Sequence, residues 1–335
     1  MFTELLKKYD LKPYRLKQIN QAVFRDLVGS WEEITTLPVE LRDRLNKEVQ
    51  FCSLRPVKEL TSKNKDTVKI LLACDDGAKI ESVLMMHEGR NTICISSQVG
   101  CPLGCRFCAT GRMGLKRNLS TREIIDQVLW WARYLKPDGK KINNIVFMGM
   151  GEPMLNIDNV SAAIDILTDD ALLGMGKRKI TISTAGLIKP LQNFLQNYPH
   201  IGLAISLHAP NQELREEIMP GTAPNNQIEE LIRVAREYSQ QTKRRVSFEY
   251  ILIEGVNDSL EQAQELGDLI EGDYLYHVNL IPYNPDATGP AKWKRPNSFR
   301  VNRFRNELKK LGVPVSVRTV MGDDIGAACG QLRNM

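Results

Sequence analysis

The chain has 335 residues, 42% of them hydrophobic and 25% charged, with a formal net charge of +5. These are globular proportions with ample length for a large core, so one large domain with a smaller one is expected. No apolar run approaches the ~18 residues of a membrane span, and the charged start MFTELLKKYDLKPYRLKQIN lacks the apolar h-region of a secretory signal, which points to a cytoplasmic protein.

Residues 1–55 read as a small helical accessory module. Leu16, Ile19, Val23, Phe24 and Leu27 recur at helical spacing, and Pro38 opens a further helix over VELRDRLNKEV. Residues 56–90 change character. The polar turn TSKNKD (61–66) and the turn DDGA set off the β-like runs TVKILLAC and KIESVLMM, a hairpin signal. From about residue 91 to the C-terminus, short β-branched runs alternate with helical segments: TICISS, NNIVFMGM, RKITIST, IGLAISLH, RVSFEYIL, YHVNLIPY and VPVSVRTV. The first intervening helix carries a capping box, Ser120 to Glu123, followed by Ile124, Ile125, Val128, Leu129 and Ala132 on one face. Repeated strand–helix units predict an α/β fold with a parallel sheet, rolled into a partial (β/α) barrel; an open doubly wound sheet is the alternative.

The unusual polar residues stand just after these strands. CPLGCRFC follows TICISS, GEP follows NNIVFMGM, Ser183 closes KITIS, His208 closes AISLH, Asn284 follows YHVNLIPY, and Cys329 lies beyond VPVSVRTV. In a β/α barrel the C-terminal strand ends share the face on which active sites are built.

Seven cysteines is an odd number, and close-set cysteines in a reducing compartment more often bind metal or do redox chemistry than form a disulfide scaffold. Cys101, Cys105 and Cys108 make C-x3-C-x2-C in a glycine-rich loop. A structural zinc takes four protein ligands, and no fourth stands at zinc spacing. Three thiolates on a four-iron cluster leave one iron open to a substrate or cofactor. Cys52 and Cys74 read as buried hydrophobes. Basic residues cluster at Lys116-Arg117, Lys140-Lys141, Lys177 to Lys179, Lys243 to Arg245 and Lys292 to Arg295. A phosphate backbone would use such clusters, although on charge alone they read as solvated ends and loops.

C-x3-C-x2-C with Phe107 before its last cysteine resembles the radical S-adenosylmethionine signature. Taken together, CISSQVGCPLGCRFCATG, FMGMGEPMLN, SLHAPN, NLIPYNP and DIGAACGQL resemble the RlmN family of dual-specificity RNA methyltransferases over nearly the whole chain. The helical N-terminus matches the family's accessory domain. The resemblance implies a radical SAM partial barrel and a [4Fe-4S] cluster on Cys101, Cys105 and Cys108, whose open iron chelates S-adenosylmethionine. It further implies cofactor contacts from Gly151, Glu152, Ser183, Ser206, Leu207, His208 and Asn284. The implied reaction methylates adenine C2 in 23S rRNA, at the peptidyl-transferase centre, and in tRNA, beside the anticodon. One cofactor methylates Cys329; a second is cleaved to a 5′-deoxyadenosyl radical that takes hydrogen from the S-methyl group; the methylene then adds to C2. Cys94 is the implied resolving thiol, leaving a transient disulfide with Cys329, and Glu81 the implied proton acceptor. An external, flavodoxin-like electron donor and a monomer are also implied. Two other readings stand beside this one: a Cfr-type relative that methylates C8, against which the proline of GEP speaks, and a non-catalytic RNA-binding protein with a structural cluster.

Overall fold

The computed structural model describes residues 2–272, 275–286 and 289–333. The N-terminal segment forms α1 (Thr3–Lys8), α2 (Pro13–Asn20) and α3 (Val39–Glu48). The periodicity through Val23 and Phe24 belongs to α2 and to the π-helical turn Gln21–Arg25 that continues it. Pro38 caps α3, where a residue with no N–H to leave unpaired suits a helix start.

Strands β1 (Leu54–Thr61), β2 (Thr67–Cys74), β3 (Lys79–His87) and β4 (Arg90–Cys94) follow as an antiparallel meander. Then comes a ribbon that the sequence reading did not anticipate. β5 (Gln98–Cys101) pairs with β6 (Gly114–Asn118), and the short α4 (Ala109–Arg112) lies between them. Cys101 therefore ends a strand, and only the rest of the cysteine motif is loop and helix start.

The remaining units alternate: α5 (Thr121–Leu135), β7 (Asn144–Phe147), α6 (Ile157–Thr168), β8 (Ile180–Thr184), α7 (Ile188–Asn197), β9 (Gly202–Ser206), α8 (Gln212–Ile218), α9 (Ile228–Thr242), β10 (Val246–Leu252), α10 (Leu260–Leu269), β11 (Tyr276–Pro282), α11 (Ser298–Lys310) and β12 (Val315–Val317). One ten-stranded sheet runs β1-β2-β3-β4-β7-β8-β9-β10-β11-β12. From β4 onward each neighbour is parallel and taken in chain order, as a partial (β/α) barrel requires. Residues 56–90 thus extend that sheet by its antiparallel edge.

Helix α5 joins the helical segment to the barrel. Its predicted capping box forms, with Ser120 Oγ accepting from Glu123 N and Glu123 accepting from Ser120 N. Its inner face buries Ile124, Ile125, Val128, Leu129 and Trp131, and Trp131 Nε1 donates to Ser82 Oγ at 2.8 Å. Its other side faces the N-terminal segment. Asp126 accepts from Ser53 N at 2.6 Å and from Ser53 Oγ at 2.7 Å. Arg122 donates to Phe51 O at 3.0 Å, Arg133 Nε to Val28 O at 3.0 Å, and Lys136 Nζ to Asp26 O at 2.6 Å. Trp31, Phe24 and Leu45 belong to the same apolar core as the sheet. Cys74 is fully buried as expected, whereas Cys52 is only half-buried, beside the Arg133 guanidinium. No helix among the described residues is long and apolar enough to cross a membrane.

Asp126 is buried, and desolvation raises its carboxyl above the usual range against the pull of the Ser53 donors. Asp126→Ala leaves those donors without a partner. We expect it to lower stability by about 1–3 kcal/mol in chemical denaturation and to speed proteolysis between residues 50 and 56.

Candidate functional site: two chambers sharing one wall

The C-terminal ends of the parallel strands border two adjoining chambers. The inner one, of about 150 Å³, is lined by Cys101, Cys105, Cys108, Phe107, Gly151, Glu152, Ser183, Ser206, His208 and Glu249. The sequence-predicted cluster thiols and most predicted cofactor contacts therefore meet here. The outer one, of about 360 Å³, is lined by Cys94, Val83, Met85, His87, Arg90, Thr92 and Asn284. Cys108, Met148, Gly149, Arg318, Cys329 and Gly330 border both.

The cysteine loop is held from three sides. Gly100, at φ +81°, passes so close to β6 that a Cβ would stand 1.9 Å from Gly114 O. Arg106 N donates to Ile218 O at 3.0 Å, and Gly221 N to Leu103 O at 3.1 Å. The C-terminal tail closes the third side: Ala109 N donates to Gly330 O, and Thr110 Oγ1 to Leu332 O, each at 2.7 Å. Burial pushes the Cys101 thiol up to about 12 and raises Cys105 and Cys108 as well. Among the described residues no three His, Cys, Asp or Glu side chains gather closely enough to hold a single metal ion. The three thiols line one chamber, where Cys101 and Cys108 both act on the buried Cys105.

The GEP turn explains itself physically. Gly151 has φ +100°, and a Cβ there would stand 2.5 Å from Gln98 Cβ, so only glycine fits. Gln98 Oε1 accepts from Glu152 N at 2.9 Å. Glu152 is buried; its Oε1 accepts from Met154 N at 2.9 Å and its Oε2 from Ala185 N at 2.7 Å. Burial raises its carboxyl, and these two N–H groups partly offset that.

His208 sits in the left-handed region at φ +60° and packs edge-on against Phe107, with ring centres 4.5 Å apart. Its Nδ1 accepts from Ile251 N at 3.0 Å, so the neutral ring carries its proton on Nε2. Burial, with help from nearby Arg215, pulls its pKa down to about 3. It is a neutral polar group at any physiological pH.

Two predicted contacts fall elsewhere. Leu207 is fully buried and lines neither chamber; its N–H donates to Glu249 O at 3.0 Å. Asn284 borders the outer chamber, where its Nδ2 donates to Cys329 O at 3.3 Å and its Oδ1 accepts from Arg295. Glu81 lines neither chamber. It is fully buried on β3, paired with Lys69 Nζ at 2.9 Å, and its Oε2 accepts from Arg333 N at 2.9 Å. Cys94 ends β4 and is buried, which pushes its thiol up to about 12, with Cys329 a second cause. All seven cysteines are free, so the Cys94–Cys329 disulfide is not formed in this structure.

Sequence reasoning missed two residues. Arg318 follows β12 directly and stands between the chambers, 4.0 Å from Glu249 Oε2. The Cys329 thiol is the leading influence holding its guanidinium above the usual value. Glu249 interrupts the apolar β10 run, receives Asn279 Nδ2 at 2.9 Å, and is raised by burial. Both signals were present: a post-strand position and a charge within a β-run. Two basic clusters are partly spent internally, with Arg117 on Asp76 and Glu123 and Arg295 on Asp323 and Tyr283 O.

A family model for the radical SAM superfamily matches residues 95–267. The chain is 44% identical to a ribosomal RNA large subunit methyltransferase N from Nitrosopumilus maritimus, with 96% of this chain and 92% of that one covered. It is 43% identical to a probable dual-specificity RNA methyltransferase RlmN of Thermus thermophilus, covering 95% and 88%. The crystal structure of a radical SAM methyltransferase from Sphaerobacter thermophilus superposes with a TM-score of 0.94 at 44% identity, over 99% and 96% of the two chains. The chain belongs to the RlmN family of the radical SAM superfamily. For this RlmN member the GEP turn has no room for a side chain at Gly151. We expect Gly151→Ala to cost about 1–3 kcal/mol of stability and to weaken S-adenosylmethionine binding at least about tenfold by calorimetry, since Glu152 moves with the turn.

Proposed function

We propose that this chain is a radical SAM RNA methyltransferase that methylates C2 of adenosine through an S-methylcysteine at Cys329, with 23S rRNA adenosine 2503 and tRNA adenosine 37 as substrates. One observation carries the reading: Cys329 borders both chambers, one lined by three further cysteines and Glu152, the other by Cys94. A thiol that must first meet a cofactor and later an RNA base needs that position.

Cys101, Cys105 and Cys108 would hold a [4Fe-4S] cluster, and the donor set fits it: two buried thiols and one half-buried one line the same chamber, with Cys329 standing on the wall shared with the outer one. With S-adenosylmethionine bound, the cluster would supply one-electron cleavage of the sulfonium. Glu152 would receive the cofactor's ammonium, beside a glycine that lets the backbone approach closely. Ser183, Ser206 and the Nε2–H of His208 offer hydrogen bonds for ribose and carboxylate. Leu207 would contribute only through its backbone, and Asn284 would set the Cys329 loop.

The outer chamber would take the flipped adenine, between apolar walls of Val83, Met85 and Met148. Once the base is linked to Cys329, the adduct gives up its odd electron, for which the cluster held by Cys101, Cys105 and Cys108 would be the acceptor, and the C2 proton leaves to a base, for which Glu81 is the candidate after the tail shifts. The Cys94 thiolate then attacks the Cys329 sulfur. That step forms the S–S bond and sends the C–S pair to the methylene carbon, which takes up a proton to become methyl. An external low-potential donor, of flavodoxin type, would reduce the disulfide and the cluster between turnovers. The reading includes a monomeric, cytoplasmic enzyme with a helical accessory domain over residues 1–55 that contacts RNA.

Reaction with rRNA and tRNA, followed by nucleoside mass spectrometry, tests this directly. We expect 2-methyladenosine; 8-methyladenosine alone would establish the Cfr-type reaction, and no methylated adenosine would leave an RNA-binding module. Cys94→Ala should trap a covalent protein–RNA adduct through Cys329, and Cys329→Ala should form none. Because burial pushes the Cys94 thiol up to about 12, its thiolate is scarce at neutral pH. Adduct resolution is therefore expected to quicken roughly tenfold per pH unit between about pH 7 and pH 9 in single-turnover quench measurements.

A further inference from the structure

The loop that carries Cys329 is bracketed by a single buried ion pair. Lys69 on β2 and Glu81 on β3 occupy diagonal positions, since Lys69 pairs with Val83 and Glu81 with Leu71 across the strands. Strand alternation puts Lys69, Glu81 and Val83 on one face, and Cys94, which pairs with Val83, on the same face. Both charged side chains are buried, 4% and 0% exposed, and lie 2.9 Å apart. Each also reaches the C-terminal segment. Lys69 Nζ donates to Gly326 O at 2.9 Å, three residues before Cys329. Glu81 Oε2 accepts from Arg333 N at 2.9 Å, four residues after it.

A buried ion pair of this kind is costly to assemble and is weak grounds for stability alone. Here its hydrogen bonds go to main-chain groups on either side of one functional thiol. The segment has other ties nearby. Lys63 N donates to Asp324 Oδ2 at 2.9 Å, and Gln331 Oε1 accepts from Ala328 N at 3.2 Å, closing the turn around Cys329. Gly326 stands in the left-handed region at φ +62°, which turns its carbonyl toward the β2 lysine.

We propose that Lys69 is a positioning residue for the methyl-carrying thiol: with Glu81 it clamps residues 326 and 333, so that Cys329 is presented at the wall between the chambers. In the same clamp Glu81 Oε1 faces the Lys69 ammonium and Oε2 accepts from Arg333 N, so the carboxylate becomes available to a substrate proton only when the Arg333 N–H withdraws. Tail closure and proton acceptance thus exclude one another. The inference rests on the reading of Cys329 as methyl carrier, but its structural half does not.

The test uses the cluster-loaded full chain. Lys69→Met removes the ammonium while keeping most of the side-chain volume. Hydrogen exchange read by mass spectrometry should rise at least about tenfold at the amides of Ala327, Ala328, Gln331 and Arg333, with β10 and β11 still protected. S-methylation of Cys329, read on the intact peptide, should fall at least about tenfold, and Lys69→Arg should restore most of it. Arg333→Pro deletes the N–H that reaches Glu81 together with the side chain that faces Asp286, and should give the same rise in exchange, whereas Arg333→Ala, which keeps the N–H, should not. Unchanged exchange in the tail overturns the proposal. So does a rise shared equally by β10 and β11, which would make Lys69 a general stabiliser. If wild-type Cys329 carries no methyl group, the catalytic reading fails, while the exchange result still decides the clamp.

Discussion

Two hydrogen bonds join the last turn of the described chain to the cysteine loop: Ala109 N to Gly330 O and Thr110 Oγ1 to Leu332 O. They link residues more than two hundred positions apart, and the arrangement of the two chambers follows from them. Without that closure the inner chamber would lose the wall formed by Cys329 and Gly330 and would open into the outer one. The parallel sheet makes the closure possible. Because β4 and β7 to β12 run the same way in chain order, the segment after β12 emerges on the same edge as the loop after β4. Topology delivers the ends, and a few main-chain bonds set the final distances.

The inner chamber concentrates polar groups in a place where burial penalises charge. Each is matched by fixed donors or acceptors of the scaffold. Glu152 has two backbone N–H groups, His208 has Ile251 N, and Glu249 has Asn279. Arg215 is fully buried behind this wall, donating to Ala185 O at 2.7 Å and Asn226 O at 3.0 Å. Its charge helps keep His208 neutral. Such partners hold the side chains before any ligand arrives, and that pre-organisation spares part of the ordering cost of binding. Arg318 differs. Its carboxylate partner is at 4.0 Å and its other contact is the Met148 sulfur. Arg318 thus lies beside Cys94 and Cys329 with no ion pair closer than 4.0 Å among the described residues.

Much of this was legible in the sequence, and the misses have physical causes. The strands of the parallel sheet appeared as β-branched runs because both faces are covered, and the α5 start appeared as Ser120–Glu123 because a capping box is a local device. The β5–β6 ribbon was hidden: Gln98–Cys101 is too short for periodicity, and its partner strand is exposed and charged. The π-helical turn at Gln21–Arg25 kept helical spacing and so passed for regular helix. The engagement of Asn284 and Glu81 by the tail was hidden, since their partners, Cys329 O and Arg333 N, are main-chain atoms that no motif records. Arg318 lay in plain view after β12, yet a single arginine after a strand carries little weight until the structure shows what it stands beside.

The shared wall also constrains the order of events. On the proposed reading, Cys329 meets a cofactor while the inner chamber is closed and an RNA base while the outer one is accessible. A thiol at the boundary meets both demands with a small displacement, whereas a thiol deep in either chamber would need the whole tail to leave and return. Cys94 obeys a complementary rule. Buried at the end of β4, with its thiol protonated at neutral pH, it is a poor nucleophile toward chance electrophiles. On the proposed reading it gains an electrophile within reach only when Cys329 carries the substrate.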